Sequence, residues 1–191
     1  MQRFKCLKQM IFSCCENLKI SPKIVGLHCL EVLSFSLCPN LMGLDSTIGD
    51  LERLRNLNLT SCYNIRKLPK RICDLRSLET LNLNVCSKLK ELRNDLGKLE
   101  CLREVDVVAT AITEVPNALG HSKNLEMLLL SRDFLFKEQS RVLDILPAWL
   151  QPQKSLSQLG FLPSSLKTLQ LENCNLCEVE VPYNLESLSS L

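Results

Sequence analysis

The chain has 191 residues, of which 46% are hydrophobic and only 5% aromatic, and its formal net charge is +2. That length suits one compact domain with an aliphatic core, and the balanced charge offers no basic stripe of the kind nucleic acid requires. No stretch reaches 18 consecutive apolar residues, and Met1-Gln-Arg-Phe-Lys-Cys-Leu-Lys8 is too charged for a secretory signal. No membrane contact and no export are therefore expected, and the predicted compartment is cytoplasmic or nuclear.

Taken in order, the apolar residues fall into units of 23 or 24 residues. The first unit is carried by Leu7, Met10, Phe12, Cys15, Leu18, Ile24 and Leu27, and the second by Leu30, Leu33, Phe35, Cys38, Leu41, Leu44, Ile48 and Leu51, with Asp45 where a later unit has Pro69. The third and fourth match closely: Leu54, Leu57, Leu59, Cys62, Ile65, Leu68, Ile72 and Leu75 stand opposite Leu78, Leu81, Leu83, Cys86, Leu89, Leu92, Leu96 and Leu99. The shared L-x-x-L-x-L-x-x-[N/C]-x-x-L spacing is the signature of a leucine-rich repeat. The fifth unit (Leu102, Val105, Val107, Thr110, Ile112, Val115, Pro116, Leu119) has lost one residue between Thr110 and Ile112.

The sixth unit opens at Leu125, Leu128 and Leu130, but its return is lengthened by an insertion over 134–155. There Leu135, Gln139, Val142, Leu143 and Leu146 recur at helical spacing before Pro147, which predicts a short amphipathic helix. A truncated unit follows over 156–165, and a fuller seventh opens at Leu166, Leu169 and Leu171. The whole chain, 1–191, thus reads as a single repeat domain. Neither end carries the polar capping segment that shields a solenoid's apolar end, so a fragment of a longer array is expected.

This repeat predicts an α/β leucine-rich repeat solenoid, a curved horseshoe. Each L-x-L centre gives a short strand, and equivalent strands one unit apart pair in parallel, about 4.8 Å from each other. The units leave little chain for the way back, and prolines such as Pro69 and Pro116 remove backbone donors there, so the convex side should be irregular with 3₁₀ turns. The residue after each opening leucine alternates in sign: Lys8, Glu31, Arg55, Glu79, Arg103, Glu126 and Lys167. In-register strands would bring these charges into one row, where each has opposite neighbours and the row controls register.

The 11 cysteines follow the repeat rather than a pairing plan. Cys15, Cys38, Cys62, Cys86 and Cys174 share a column just past the strand and are expected as reduced, buried, small core residues, without the tetrahedral convergence of a metal site. Cys6, Cys29 and Cys101 share a second column and are also expected to pack as small residues. Cys174-Asn-Leu-Cys177 is a lone C-x-x-C and a weak zinc or redox signal. His28 and His121 lie away from carboxylates, and no nucleophile, phosphate-loop or zinc-protease motif is present, so neither an enzyme nor any cofactor or metal is expected. Asn58-Leu-Thr60 is a formal glycosylation sequon that reads as chance inside a strand.

Function is expected on the outward strand positions of the concave face. These are small and polar in the third and fourth units, as at Asn58 and Asn82, and change to Glu104, Asp106, Val108, Met127 and Leu129 in the fifth and sixth. Apolar side chains rimmed by charge mark binding surfaces, and these seven residues are the candidate protein-binding site. The other reading is that the insertion, which carries Trp149, folds over Met127 and Leu129 and buries them.

Three segments stand out, Leu68-Pro-Lys-Arg-Ile-Cys-Asp-Leu75, Ala109-Thr-Ala-Ile-Thr-Glu-Val-Pro116 and Leu162-Pro-Ser-Ser-Leu-Lys-Thr-Leu-Gln-Leu-Glu-Asn-Cys-Asn-Leu176, and the Thr-Ala-Ile and Leu-Pro-Ser-Ser-Leu variants in the last two are more specific than the generic repeat. With the cysteine after the strand, they resemble the leucine-rich repeat region of plant intracellular nucleotide-binding disease-resistance receptors, in particular the class with a Toll/interleukin-1-receptor domain. The resemblance implies a segment that senses a pathogen effector or a guarded host protein, or that contacts the receptor's own nucleotide-binding domain, and so restrains a nucleotide switch. The alternative is a stand-alone cytosolic scaffold that binds a host signalling protein.

Overall fold

Alternation along an extended backbone sends the two leucines of each L-x-L centre inward and the residue between them outward. The computed structural model, which describes residues 6–131 and 162–172, builds one strand per unit on this rule. They are β1 (Gln9–Ile11), β2 (Val32–Ser34), β3 (Asn56–Asn58), β4 (Thr80–Asn82), β5 (Glu104–Asp106), β6 (Met127–Ser131) and β7 (Thr168–Glu172). All seven lie in one parallel sheet in chain order. Met10, Leu33, Leu57, Leu81, Val105, Leu128 and Leu169 form its central rung, one residue from each strand. Leu33 through Leu128 in that rung are fully buried, while Met10 and Leu169 at its two ends are partly buried. The result is the expected curved solenoid.

The ladder runs on past the three-residue strands. Phe35 N–H donates to the Asn58 carbonyl at 2.8 Å, Leu59 to Asn82 at 2.8 Å, and Leu83 to Asp106 at 2.8 Å. The chain then turns on one left-handed residue per unit: Cys14 (φ 55°), Leu37 (56°), Ser61 (60°), Val85 (59°) and Ala109 (53°). The N–H groups of these residues also reach forward, as in Leu37 to the Thr60 carbonyl at 2.9 Å and Ser61 to Asn84 at 2.8 Å. No glycine occupies any of these turns, although glycine is the residue that adopts φ > 0 without steric cost.

The next residue swings into the core. Cys38, Cys62 and Cys86 are fully buried, and each thiol donates back to the preceding unit: to Phe12 O at 3.3 Å, Phe35 O at 3.0 Å and Leu59 O at 3.2 Å. Burial pushes the Cys62 thiol up to about 12 and also raises Cys38 and Cys86, so all three are held neutral. The expected core column is present at these three, Cys15 at the end of the row is only half-buried, and the nine cysteines among the described residues are free. The second column is a correction: Cys6 and Cys101 are exposed and Cys29 is half-buried. They precede a leucine that points inward, and alternation turns them outward.

The return segments of the second to fifth units each make one 3₁₀ turn, η1 (Ser46–Asp50), η2 (Lys70–Asp74), η3 (Asn94–Lys98) and η4 (Asn117–His121), whereas that of the first makes none. Each buries a single apolar anchor, namely Ile48, Ile72, Leu96 and Leu119. Pro69 and Pro116 precede two of the turns; in the second unit Asp45 accepts from Thr47 N at 2.9 Å and Thr47 Oγ1 at 2.8 Å. Those bonds hold its carboxylate below the usual range. Turns of adjacent units sit close together, and a Cβ at Gly49 would lie 2.8 Å from Arg71 Cβ, while one at Gly97 would overlap the Ala118 carbonyl. Arg71 also joins two units, with Nη1 2.8 Å from Asp50 and Nε 2.8 Å from Asp74. The 134–155 insertion with its predicted helix and Trp149, most of the 156–165 unit, Cys174 and Cys177 lie outside the described residues.

Candidate recognition surface

Parallel in-register pairing stacks equivalent side chains, so residues one unit apart in sequence become neighbours in space. Asn58 pairs with Asn82, Asn82 with Asp106, Asp106 with Leu129, and Glu104 with Met127. Six of the seven candidate residues therefore lie in two adjoining rows across β3–β6, and Val108 follows at the end of β5. Glu104 is exposed, whereas Asn58, Asn82, Asp106, Val108, Met127 and Leu129 are half-buried.

Hydrogen bonding divides this set. Asn58 Oδ1 accepts from Thr60 N at 2.8 Å, Asn82 Oδ1 from Asn84 N at 3.0 Å, and Asp106 Oδ1 from Val108 N at 3.0 Å. These are Asx turns, which close the strand and aim the chain into its left-handed corner. They also bridge units, with Thr60 Oγ1 donating to Asn82 Oδ1 at 2.9 Å and Asn84 Nδ2 to Asp106 Oδ2 at 3.1 Å. Asn58, Asn82 and Asp106 thus hold the face together, and the sequon at Asn58-Leu-Thr60 has a structural origin in this turn. Glu104 is engaged only by Thr80 Oγ1, at 3.5 Å, among the described residues.

Two features of the face lie outside the seven candidate residues, the second of them the charge row expected from the sequence. Ile11, on β1, is 62% exposed and presents more apolar surface than half-buried Met127 or Leu129. The alternating charge row forms ion pairs at Lys8–Glu31 (3.2 Å), Arg55–Glu79 (3.6 Å) and Glu126–Lys167 (3.0 Å) along the entry side of the strands. His28 and His121 are both exposed, and no group of three or more His, Cys, Asp or Glu among the described residues could hold a metal ion. No helix among them is long and apolar enough to cross a membrane.

A family described as a leucine-rich repeat region matches residues 7–142. Among solved structures, the leucine-rich repeat domain of the type III effector XopL superposes with a TM-score of 0.69 at 21% identity, covering 90% of this chain and 55% of that one. The Leptospira interrogans leucine-rich repeat protein LIC12759 gives a TM-score of 0.56 at 21% identity, covering 90% of this chain and 50% of that one. This chain therefore spans about half the length of either structure, and the likeness is one of fold. No curated protein matches it in sequence.

Proposed function

This chain belongs to the leucine-rich repeat family, and from that membership we propose that it is a protein-recognition module whose binding surface is the concave face of β3–β6. The observation that carries this reading is the row geometry. Six candidate residues from four strands adjoin on one face, held in place by side-chain bonds between units. A preorganised surface loses little conformational freedom on binding. Glu104 supplies an exposed charge there, beside the apolar edge made by Met127 and Leu129.

The biological setting we propose is a plant intracellular disease-resistance receptor, in which this segment senses a pathogen effector or a guarded host protein and restrains a nucleotide switch. What supports it is the set of sequence segments noted above, the Thr110-Ala-Ile112 and Leu162-Pro-Ser-Ser-Leu166 variants foremost among them. The test is a receptor assay in leaf tissue, with Glu104→Lys and Met127→Glu combined. The expected outcome is loss of effector-triggered cell death with unchanged protein abundance and melting temperature. Retention of the full response in the double variant overturns the concave site. An upstream reading frame without a nucleotide-binding domain overturns the receptor setting.

A further inference from the structure

Beyond the core cysteine, each of the first five units places two consecutive residues between inward-facing positions, so both of them face outward. In the third unit these are Arg66 and Lys67, between buried Ile65 and Leu68; in the fourth, Lys90 and Glu91, between buried Leu89 and Leu92. Along the solenoid the first column reads Lys19, Met42, Arg66, Lys90 and Thr113, and the second Ile20, Gly43, Lys67, Glu91 and Glu114. The strip thus begins with Lys19 beside two exposed apolar residues, Ile20 at 57% and Met42 at 53%, continues basic, and ends acidic.

Its backbone is bonded between the first two units. Met42 N–H donates to the Lys19 carbonyl at 2.8 Å, and Ile20 and Gly43 form a parallel bridge. Beside it, Asn40 Nδ2 donates to Glu16 O at 2.8 Å, Asn64 Nδ2 to Pro39 O at 2.8 Å, and Lys88 Nζ to Asn64 Oδ1 at 2.6 Å. Arg66, Lys67 and Lys90 are exposed and belong to none of the ion pairs among the described residues. Along the strand-entry row, by contrast, Lys8, Arg55 and Lys167 find carboxylate partners. Unpaired cations beside exposed aliphatic side chains, on a rigid support, form a complementary surface for a partner of opposite charge.

We propose that this strip is a second docking surface, distinct from the concave face, for an acidic protein segment. The segment's apolar end lies over Ile20 and Met42 and its carboxylates over Arg66, Lys67 and Lys90. Four units at about 4.8 Å give a strip of about 14 Å, the reach of four or five extended residues. Glu91 and Glu114 in the same columns repel a continuous anionic surface such as a lipid headgroup layer or a duplex, whereas a narrow segment stops short of Glu114.

The test is binding of the whole chain to a fluorescent synthetic peptide with leucines at one end and glutamates at the other. The same peptide with lysine for glutamate, phosphatidylserine vesicles and duplex DNA serve as comparators. The glutamate peptide should bind best and lose affinity as salt rises. Arg66→Glu, Lys67→Glu and Lys90→Glu combined should weaken it by about tenfold or more, while Glu104→Lys leaves it unchanged. Should the triple variant fail to fold by circular dichroism, Arg66→Ala with Lys90→Ala is held to the same direction of effect. Unchanged affinity in the folded variant, equal binding of the lysine peptide, or tighter binding to vesicles or DNA overturns the proposal.

Discussion

Cys62 shows how one side chain serves two units at once: it fills core volume in its own repeat and donates its thiol to Phe35 O of the one before, at 3.0 Å. Cys62→Ala removes both, and the expected loss in urea unfolding is about 1–3 kcal/mol. The same burial gives a pH signature. Below the ordinary thiol value of 9.0 both folded and unfolded chains keep the proton, and the contribution is fully present; above it the unfolded chain ionises while folded Cys62 holds its proton to about 12. Stability should therefore fall as pH rises through that window, and Cys62→Ala should flatten the decline; an identical slope in the variant refutes the assignment. Leu37 makes the opposite case, because it sits at φ 56° with its side chain 51% exposed, so it bears backbone strain without burying much in return. Leu37→Asn should raise the unfolding free energy by about 1 kcal/mol, and an unchanged or lower value shows that the turn is not strained. The 24-residue periodicity made Cys62 legible in the sequence. It left the turn at Leu37 illegible, because no glycine or asparagine marks the left-handed position there or at Ser61, Val85 and Ala109.

At the scale of the elements, each strand was readable from its leucine spacing, since Leu57 and Leu81 can be one unit apart and both buried only if the strands between them pair in register. The strand ends were not readable. The Asx turns of Asn58, Asn82 and Asp106 leave no hydrophobic pattern by which a strand end could be placed. The 3₁₀ turns show the same divide: prolines announced two of them, while the closeness of their packing rests on Gly49 and Gly97, which the leucine spacing does not single out. Gly97→Ala should destabilise by about 1–3 kcal/mol, because its Cβ meets the Ala118 backbone, which moves only with the whole turn. Gly43→Ala, with nothing within 4 Å of the added carbon, should be neutral or stabilise by about 0.4–1 kcal/mol. Equal thermal shifts for the two would show that the turns have room to separate.

Across the whole molecule the register is written twice, once in the leucines and once in the alternating charges. Arg55 faces Glu79 at 3.6 Å and has Glu31 as its other neighbour in the row. Arg55→Glu places three like charges in line and should lower the melting temperature more than Arg55→Ala, with the gap closing in high salt. Both groups are well exposed, so the difference stays within about 1 kcal/mol, and equal melting points would show that the row has no part in holding register. The forward-reaching backbone bonds have a kinetic consequence. The amides of Leu37, Ser61 and Val85 are each closed by a carbonyl of the following unit, so none is shielded by its own repeat. Their hydrogen–deuterium exchange times the undocking of the next repeat and not the melting of their own, and three consecutive amides report three consecutive joints. A partner seated across several units would slow all three together, while one gripping a single unit would slow one, so the footprint of an unknown ligand could be read from exchange rates before the ligand itself is identified.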